Sequence, residues 1–426
     1  RDLVYQLIIL FYHKISSLLV LVIFSTMILK CPLFHTSLAL LSVSISFSKS
    51  TAFGFVSHNS QPSLISTPNK IGAIEMTSSS SATDISTDVS NSFTRVPSLS
   101  SIPLDDYDTI LLDMWGVMHD GTTPYQGVLN AVKKLKEAGK TFIVLSNSSK
   151  KKENSVKMLT KLGFDPADFE QIITSGDVSH SLLRNKADEL GCSNWSLLSG
   201  IQSKSRKKAF VFGSGDEDEE YCISAGWNLS SIEEADLIVA RGTFTINDGS
   251  GKVVSKKEDE MEYWKVMEES LIAAAKRKVP MLVTNPDKVR PDAGLPPMPG
   301  AIGDTYERYL WTTYCPPIGD MTETSSRDYV KRIGKPFPEV YDIALRGRDA
   351  SRAVMIGDAL ETDVTGGMAN GVDSVWVVRD GIHKEDVEKN GNGEMGVVEE
   401  FCGRSEYTYA YGEKVMPKYV VDHFRW

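Results

Sequence analysis

The sequence predicts an α/β protein built on a parallel sheet, and three observations carry that prediction. Buried-strand and helix patterns alternate from Tyr107 to Gly163. The same alternation returns from Phe337 onward. Between them, roughly Gly176 to Gly319, lies a long stretch with strand and helix patterns of its own. An insertion of that size, interrupting one sheet, reads as a second α/β unit lying over the sheet's ligand-binding edge. The expected organisation is therefore a leader to residue 102, core from 103 to 175, insert from 176 to 319, and core again from 320 to 426.

Each element has its own warrant. Tyr107 to Asp113, YDTILLD, is an apolar run short enough for a fully buried strand. From Gln126 to Ala138, Val128, Val132 and Leu135 share one helical face, and Gly139 stops the helix. Thr141 to Ser146, TFIVLS, is the next buried strand, and Glu153 to Leu162 the next helix, closed by Gly163. The insert offers KAFVFG, ADLIVARG, a helix from Met261 to Lys276, and VPMLVTN. In the last part, Pro336 and Pro338 set the start of a helix reaching Arg346. AVMIGD (Ala353 to Asp358) and DSVWVV (Asp373 to Val378) are buried strands, DVTGGMANG is a short helix weakened by glycine, and YVVDHFRW ends the chain as an edge strand. The acidic run Asp216 to Glu220 and the Gly- and Asn-rich Lys389 to Gly396 read as solvated loops.

The first hundred residues are a different material. The stretch from Leu3 to Leu29 is apolar, interrupted by His13 and Lys14, and reads either as a membrane span or as translated upstream sequence. A start at Met27 gives a signal-like segment: Lys30, a moderately apolar Leu38 to Phe47, and small residues at Ser50 and Ala52. Phe53, in STAFGF, follows at once. That junction resembles the bipartite plastid-targeting presequences of algae with secondary plastids, and the Ser/Thr-rich, acid-poor sequence after it resembles a transit peptide. Plastid import is the expectation. A start at Met76 would leave a Ser-rich tail and a cytoplasmic protein.

With 426 residues and a formal net charge of -10, the chain is not built for nonspecific binding to nucleic acid or anionic membrane. An acidic protein that handles an anionic substrate needs a local source of positive charge. The five cysteines, Cys31, Cys192, Cys222, Cys315 and Cys402, form no CxxC pair and are odd in number. They predict a reducing compartment without a disulfide framework or a zinc site.

Ligands of open parallel sheets bind beyond the carboxyl ends of the strands. Three buried strands end there in polar groups: Asp113, Ser146 and Asp358. Lys335 follows an IGK turn. If the strands are neighbours, these side chains share one crevice. Paired carboxylates in a dry site repel, and a Mg²⁺ ion with its preference for oxygen ligands removes the conflict. Lys335 and the Ser146 hydroxyl would hold an anion beside it. The set describes phosphoryl transfer through an aspartyl intermediate.

The ordered motifs DMWGV, LSNSSK, GKP and GDALETD resemble the haloacid dehalogenase (HAD) superfamily, and the position of the insert with its NPD (Asn285 to Asp287) resembles class IIA. That class contains NagD-like nucleotide and sugar phosphatases and pyridoxal phosphate phosphatase. The resemblance covers Asp106 to Trp426. It implies a Rossmann-like core with an α/β cap, and a Mg²⁺-dependent hydrolase of small phosphorylated metabolites. It implies Asp113 as nucleophile, Ser146 as phosphate-binding hydroxyl with Asn147 beside it, and Lys335 as charge stabiliser. Asp113, the backbone carbonyl of Trp115 and Asp358 become metal ligands, with Asp363 acting through water. Asn285 and Asp287 reach the substrate or else only form an Asx turn. Pairing of family members through their caps sets a homodimer as a further expectation.

One position departs. Phosphatases of this superfamily usually carry an Asp two residues after the nucleophile, to protonate the leaving oxygen and later activate water. Trp115 does neither, since an indole N–H is a donor that does not titrate usefully. A positioned acid–base contributes roughly 10²–10⁴ in rate. A branch of class IIA carries an aromatic residue there. Proton handling is then weakened or relocated, with His119 and Asp120 as nearby substitutes that also read as plain loop residues. The alternatives are a protein that binds a phosphorylated ligand with little turnover, and a metal-free dehalogenase, against which the intact acids of GDALETD speak.

Overall fold

The computed structural model describes residues 92–215, 217–290, 294–316, 318–403 and 416–426. All lie in the unit Ile85–Trp426. The leader expected at the N-terminus falls outside the described residues as far as residue 91.

The core is a seven-stranded parallel sheet. Its strands are β1 (Thr94–Arg95), β2 (Thr109–Leu112), β3 (Thr141–Ser146), β4 (Gln171–Thr174), β12 (Ala353–Gly357), β13 (Asp373–Val377) and β14 (Tyr419–Val421), in spatial order β1-β14-β13-β12-β2-β3-β4. Alternation along the strands divides the side chains between two faces. Ile110, Leu112, Phe142, Val144, Val354 and Ile356 enter one apolar cluster with the helix Val128–Glu137. Leu111, Ile143, Leu145 and Met355 enter another with Val178, Leu182 and Leu183 of the helix Ser175–Leu183. The chain builds β2, β3 and β4 in one direction and then crosses to β12 on the other side of β2. That reversal opens a crevice at the strand ends.

The second sheet is also seven-stranded. It contains β5 (Lys207–Gly213), β6 (Trp227–Leu229), β7 (Leu237–Ala240), β8 (Thr245–Asn247), β9 (Val253–Ser255), β10 (Met281–Val283) and β11 (Val330–Arg332), ordered β11-β10-β7-β5-β8-β9 with β6 beside β5. One face packs on the helices Glu260–Arg277 and Pro299–Tyr314 through Phe210, Phe212, Ile238 and Met281. From the other, Val211, Leu237, Val239 and Leu282 join the cluster that holds Leu111 and Ile143. The insert is thus packed into the core's own apolar layer.

Several boundaries differ from the sequence reading. The segment before residue 103 is not all leader: β1 pairs with β14, and Leu99 and Ile102 are buried. Ser and Thr around them mask a short apolar contribution. The second sheet closes with β11, beyond the expected end at 319, because three residues paired to β10 leave little periodicity to read. The last strand is not the edge, since β1 covers it. The acidic run begins a helix, Asp218–Ser224, and Asp218 is buried. Lys389 to Gly396 joins two helices, Lys384–Lys389 and Gly393–Gly403. Cys192, Cys222 and Cys315 carry free thiols. Among the described residues, no helix is long and apolar enough to cross a membrane.

Burying an aliphatic side chain contributes about 1.5–3 kcal/mol, and Leu99 and Ile102 both lie in the core. A chain starting at residue 103 is therefore expected to be less stable, by about 3 kcal/mol or more, than one starting at residue 92. Equal denaturant midpoints would place these residues outside the cooperative fold.

Candidate functional site

Both sheets aim the ends of parallel strands at one cavity of about 740 Å³. From the core come Asp113 after β2, Ser146 at the end of β3, and Asp358 after β12. These strands are neighbours, in the order β12-β2-β3. From the insert come Ser214 after β5, Arg241 after β7, and Asn285 to Asp287 after β10. Lys335 arrives just past β11. The geometric condition set by the sequence is met: the strand tips converge.

Lys335 is 2% exposed and its Nζ lies between two carboxylates, 2.6 Å from Asp113 Oδ1 and 2.7 Å from Asp363 Oδ1. Burial opposes its charge, yet Asp113 and Asp363 hold its pKa above the ordinary value. The turn that delivers it depends on Gly334, at φ +126°, where a Cβ would stand 2.5 Å from Asn147 Oδ1. Asn147 then clamps the lysine's backbone. Its Oδ1 accepts from Lys335 N (2.7 Å), and its Nδ2 donates to Lys335 O (3.1 Å) and to Asp287 Oδ1 (2.7 Å). Asn147, expected on the ligand, has both amide hydrogens engaged in this way. Its amide positions Lys335 and joins the insert to the core. Ser146 Oγ lines the cavity and accepts from Ser148 N at 3.2 Å. Asn285 forms the Asx turn, accepting from Asp287 N at 2.9 Å, and Asp287 lines the cavity.

Asp113, Asp358 and Asp363 each offer an oxygen, and these lie within 4.8 Å of one another. Burial pushes Asp113 upward, with Lys335 opposing. Burial, then Asp113 and Asp363, push Asp358 well above the carboxylate range. Burial raises Asp363 to about 6. One ammonium does not balance three carboxylates. A hard divalent cation held by oxygen fits this donor set. Asp358 also accepts from Ile382 N (2.9 Å). Asp363 Oδ2 takes the N–H groups of Asp358 and Ala359 (3.1 and 3.0 Å), which leaves it an orienting part. Gly116, at φ +81°, lets the loop after Asp113 run against Asp358; a Cβ there would lie 2.1 Å from its Oδ2.

Trp115, 36% exposed, lines the cavity. Its ring lies over Gly121, where a Cβ would come within 2.6 Å, and meets the His119 ring edge-on at 5.8 Å. Asp120 is spent locally, accepting from Thr122 N and Thr123 N, which holds its carboxyl far below the usual range. His119 is buried, accepts from Gly121 N through Nδ1 (2.9 Å), and has its pKa lowered by that burial. A lone neutral imidazole with one nitrogen occupied is a poor stand-in for a carboxylate.

Sequence reasoning missed three cavity neighbours. Arg241 is buried against Asp218, stacks 3.8 Å over the Tyr221 ring and donates to Ser149 O at 3.3 Å. Its signal was a charge directly after the buried strand ADLIVA. Glu361 lines the cavity and pairs with buried His383 (2.9 Å), which Asp386 also contacts (3.1 Å). Burial opposes charge on this ring, yet Glu361 and Asp386 push it up to about 9. No ligand-like spacing marks His383 in sequence.

Residues 110–228 match the family model described as haloacid dehalogenase-like hydrolase, and residues 332–402 match one described as HAD-hydrolase-like. A Caenorhabditis elegans protein named for NipSnap is 28% identical over 284 residues, 63% of this chain and 47% of that protein, so the chain spans about half of its length. Phosphoglycolate phosphatase 2 of Arabidopsis thaliana is 24% identical over 298 residues, 68% of this chain and 88% of that protein. A hydrolase of haloacid dehalogenase-like family from Brucella suis superimposes with TM-score 0.53 at 22% identity, covering 77% of this chain and 99% of the other; this likeness is one of fold.

Carboxyls raised by burial and mutual repulsion bind more protons folded than unfolded, so they subtract stability as pH rises from about 4; for Asp363 that window closes near pH 6. Metal-free Asp358→Asn is therefore expected to melt above the parent at pH 7, by about 2–4 °C per kcal/mol of repulsion relieved, with a smaller gap at pH 5. Saturating Mg²⁺ should reverse the order. A parent that melts higher without metal at pH 7 would contradict this electrostatic reading.

Proposed function

Since the chain belongs to the haloacid dehalogenase-like hydrolases, we propose that it is a phosphatase of small phosphorylated metabolites, working through a phosphoryl group carried on Asp113. The observation that carries this reading is the lysine between two carboxylates, with a third close by, at the open end of three adjacent strands. Ion pairing with Lys335 opposes the burial that raises the Asp113 carboxyl, and so favours its ionised, nucleophilic form. The lysine also offers its charge to the phosphoryl oxygens, and Ser146 Oγ offers a hydroxyl from the neighbouring strand.

The fit of the donor set supports Mg²⁺, held by Asp113, Asp358 and the Trp115 carbonyl, with Asp363 orienting its water. Such an ion would neutralise phosphate charge. The insert serves as the cap. It walls the cavity from the side opposite the core's strand ends and excludes water from the reacting atoms. A cavity of about 740 Å³ suits a metabolite of modest size. The phosphatase named among the relatives supports the same chemistry.

Purified protein should hydrolyse a generic aryl phosphate with Mg²⁺, and chelation should remove the activity. Asp113→Asn should lower turnover to background, and Lys335→Met by at least about 10². Unchanged hydrolysis by Asp113→Asn in release of inorganic phosphate would refute the proposal.

A further inference from the structure

The phosphatase reading leaves proton transfer without an agent, because Trp115 stands where an acid is needed. Asp120 is consumed by its own turn, and Glu361 is held by His383. One further carboxylate lines the cavity: Asp287, from the insert. We infer that Asp287 is the relocated general acid–base of this site.

The geometry is that of a fixed group. The backbone of Asp287 is pinned by the Asn285 side chain (2.9 Å) and by the N–H of Gly300, which donates to its carbonyl (3.0 Å). A Cβ on Gly300 would lie 2.6 Å from that carbonyl oxygen, so the approach is close. The side chain is oriented by Asn147, which donates to Oδ1 at 2.7 Å and in the same stroke clamps Lys335. In-line displacement sends the leaving oxygen away from Asp113, and Asp287 lines the same cavity from the insert rather than from the core.

The charges around it suit the task. Lys335, Asp363, Glu361 and Asp113 act on it from the core, while Arg241, Lys288 and Arg290 line the cavity from its own unit. Arg241 is committed to Asp218, and Lys288 lies 2.8 Å from Asp304. Burial is the largest influence. It lifts the Asp287 carboxyl to about 6, with Asn147 and Lys335 opposing. A group that titrates there serves as acid and as base near neutrality.

The steps balance. An Asp113 oxygen attacks phosphorus, the bond from phosphorus to the alcohol oxygen breaks, and that oxygen takes its electron pair and the Asp287 proton. The alcohol leaves. Asp287, now a carboxylate, takes a proton from water as the water oxygen attacks phosphorus. The bond to Asp113 breaks, its electrons return to the carboxylate, and inorganic phosphate departs with Asp287 protonated again.

The inference rests on the phosphatase reading, so the test must separate the two. The readout is kcat/KM, with Mg²⁺, for an alkyl phosphate and for a nitrophenyl phosphate, whose oxygen leaves without a proton. Asp287→Asn, which keeps the acceptor for Asn147, should lower the alkyl value by about 10²–10⁴ and the nitrophenyl value by less than about tenfold. The wild-type kcat profile should show an inflection near pH 6 that the variant lacks. Trp115→Asp in the Asp287→Asn background should restore alkyl turnover, which also shows that the variant folds. Equal losses for both substrates, or a retained inflection, overturn the inference while the phosphatase reading stands. Absence of Mg²⁺-dependent hydrolysis in the wild type overturns both.

Discussion

The site depends on one buried charge. Lys335, 2% exposed, is held between Asp113 and Asp363. Withdrawing an ammonium from water costs several kcal/mol unless ionic partners replace the solvent. With two carboxylates against it, the lysine stays charged; with Asp358 added, three carboxyls face one ammonium, an excess that burial and mutual repulsion push toward protonation. That excess is a demand for a cation. On the proposed reading, binding of an anionic phosphate would depend on the same balance, with Lys335 neutralising substrate as well as holding the nucleophile.

Topology meets that demand from two directions. The core supplies Asp113, Ser146 and Asp358 from adjacent strand ends. The insert supplies Arg241, Asp287 and, at the point where the chain returns to the core, Lys335. Asn147 joins the two supplies with three hydrogen bonds. Because Val211, Val239 and Leu282 of the insert share an apolar cluster with Leu111 and Ile143 of the core, the two sets of strand ends are held in register by packing.

Strands β2, β3, β12 and β13 of the core were legible because each is a short, largely buried run, and TFIVLS was read to its ends. The tips Asp113, Ser146 and Asp358 were legible for the same reason: an abrupt polar residue after an apolar run leaves little else to infer. Lys335 was placed by its Gly-Lys-Pro context. Distance and direction of side chains were not legible. Asn147 reads as a ligand-binding neighbour of Ser146, and only the structure shows its amide committed to Lys335 and Asp287. Asp218 sits in a run of acids that looks solvated, since burial by a distant Arg241 leaves no local pattern. β1 and β11, short strands whose partners supply the order, escape periodicity altogether.

The central claim is covalent: the phosphoryl group passes through Asp113. Rapid acid quenching of the enzyme with Mg²⁺ and an aryl phosphate, followed by peptide mass mapping from milliseconds to steady state, tests it directly. The account predicts one added phosphoryl group on the peptide that contains Asp113, formed before inorganic phosphate appears and lost on the same timescale as turnover. Hydrolysis with no adduct at any time, or an adduct on a different peptide, would contradict it.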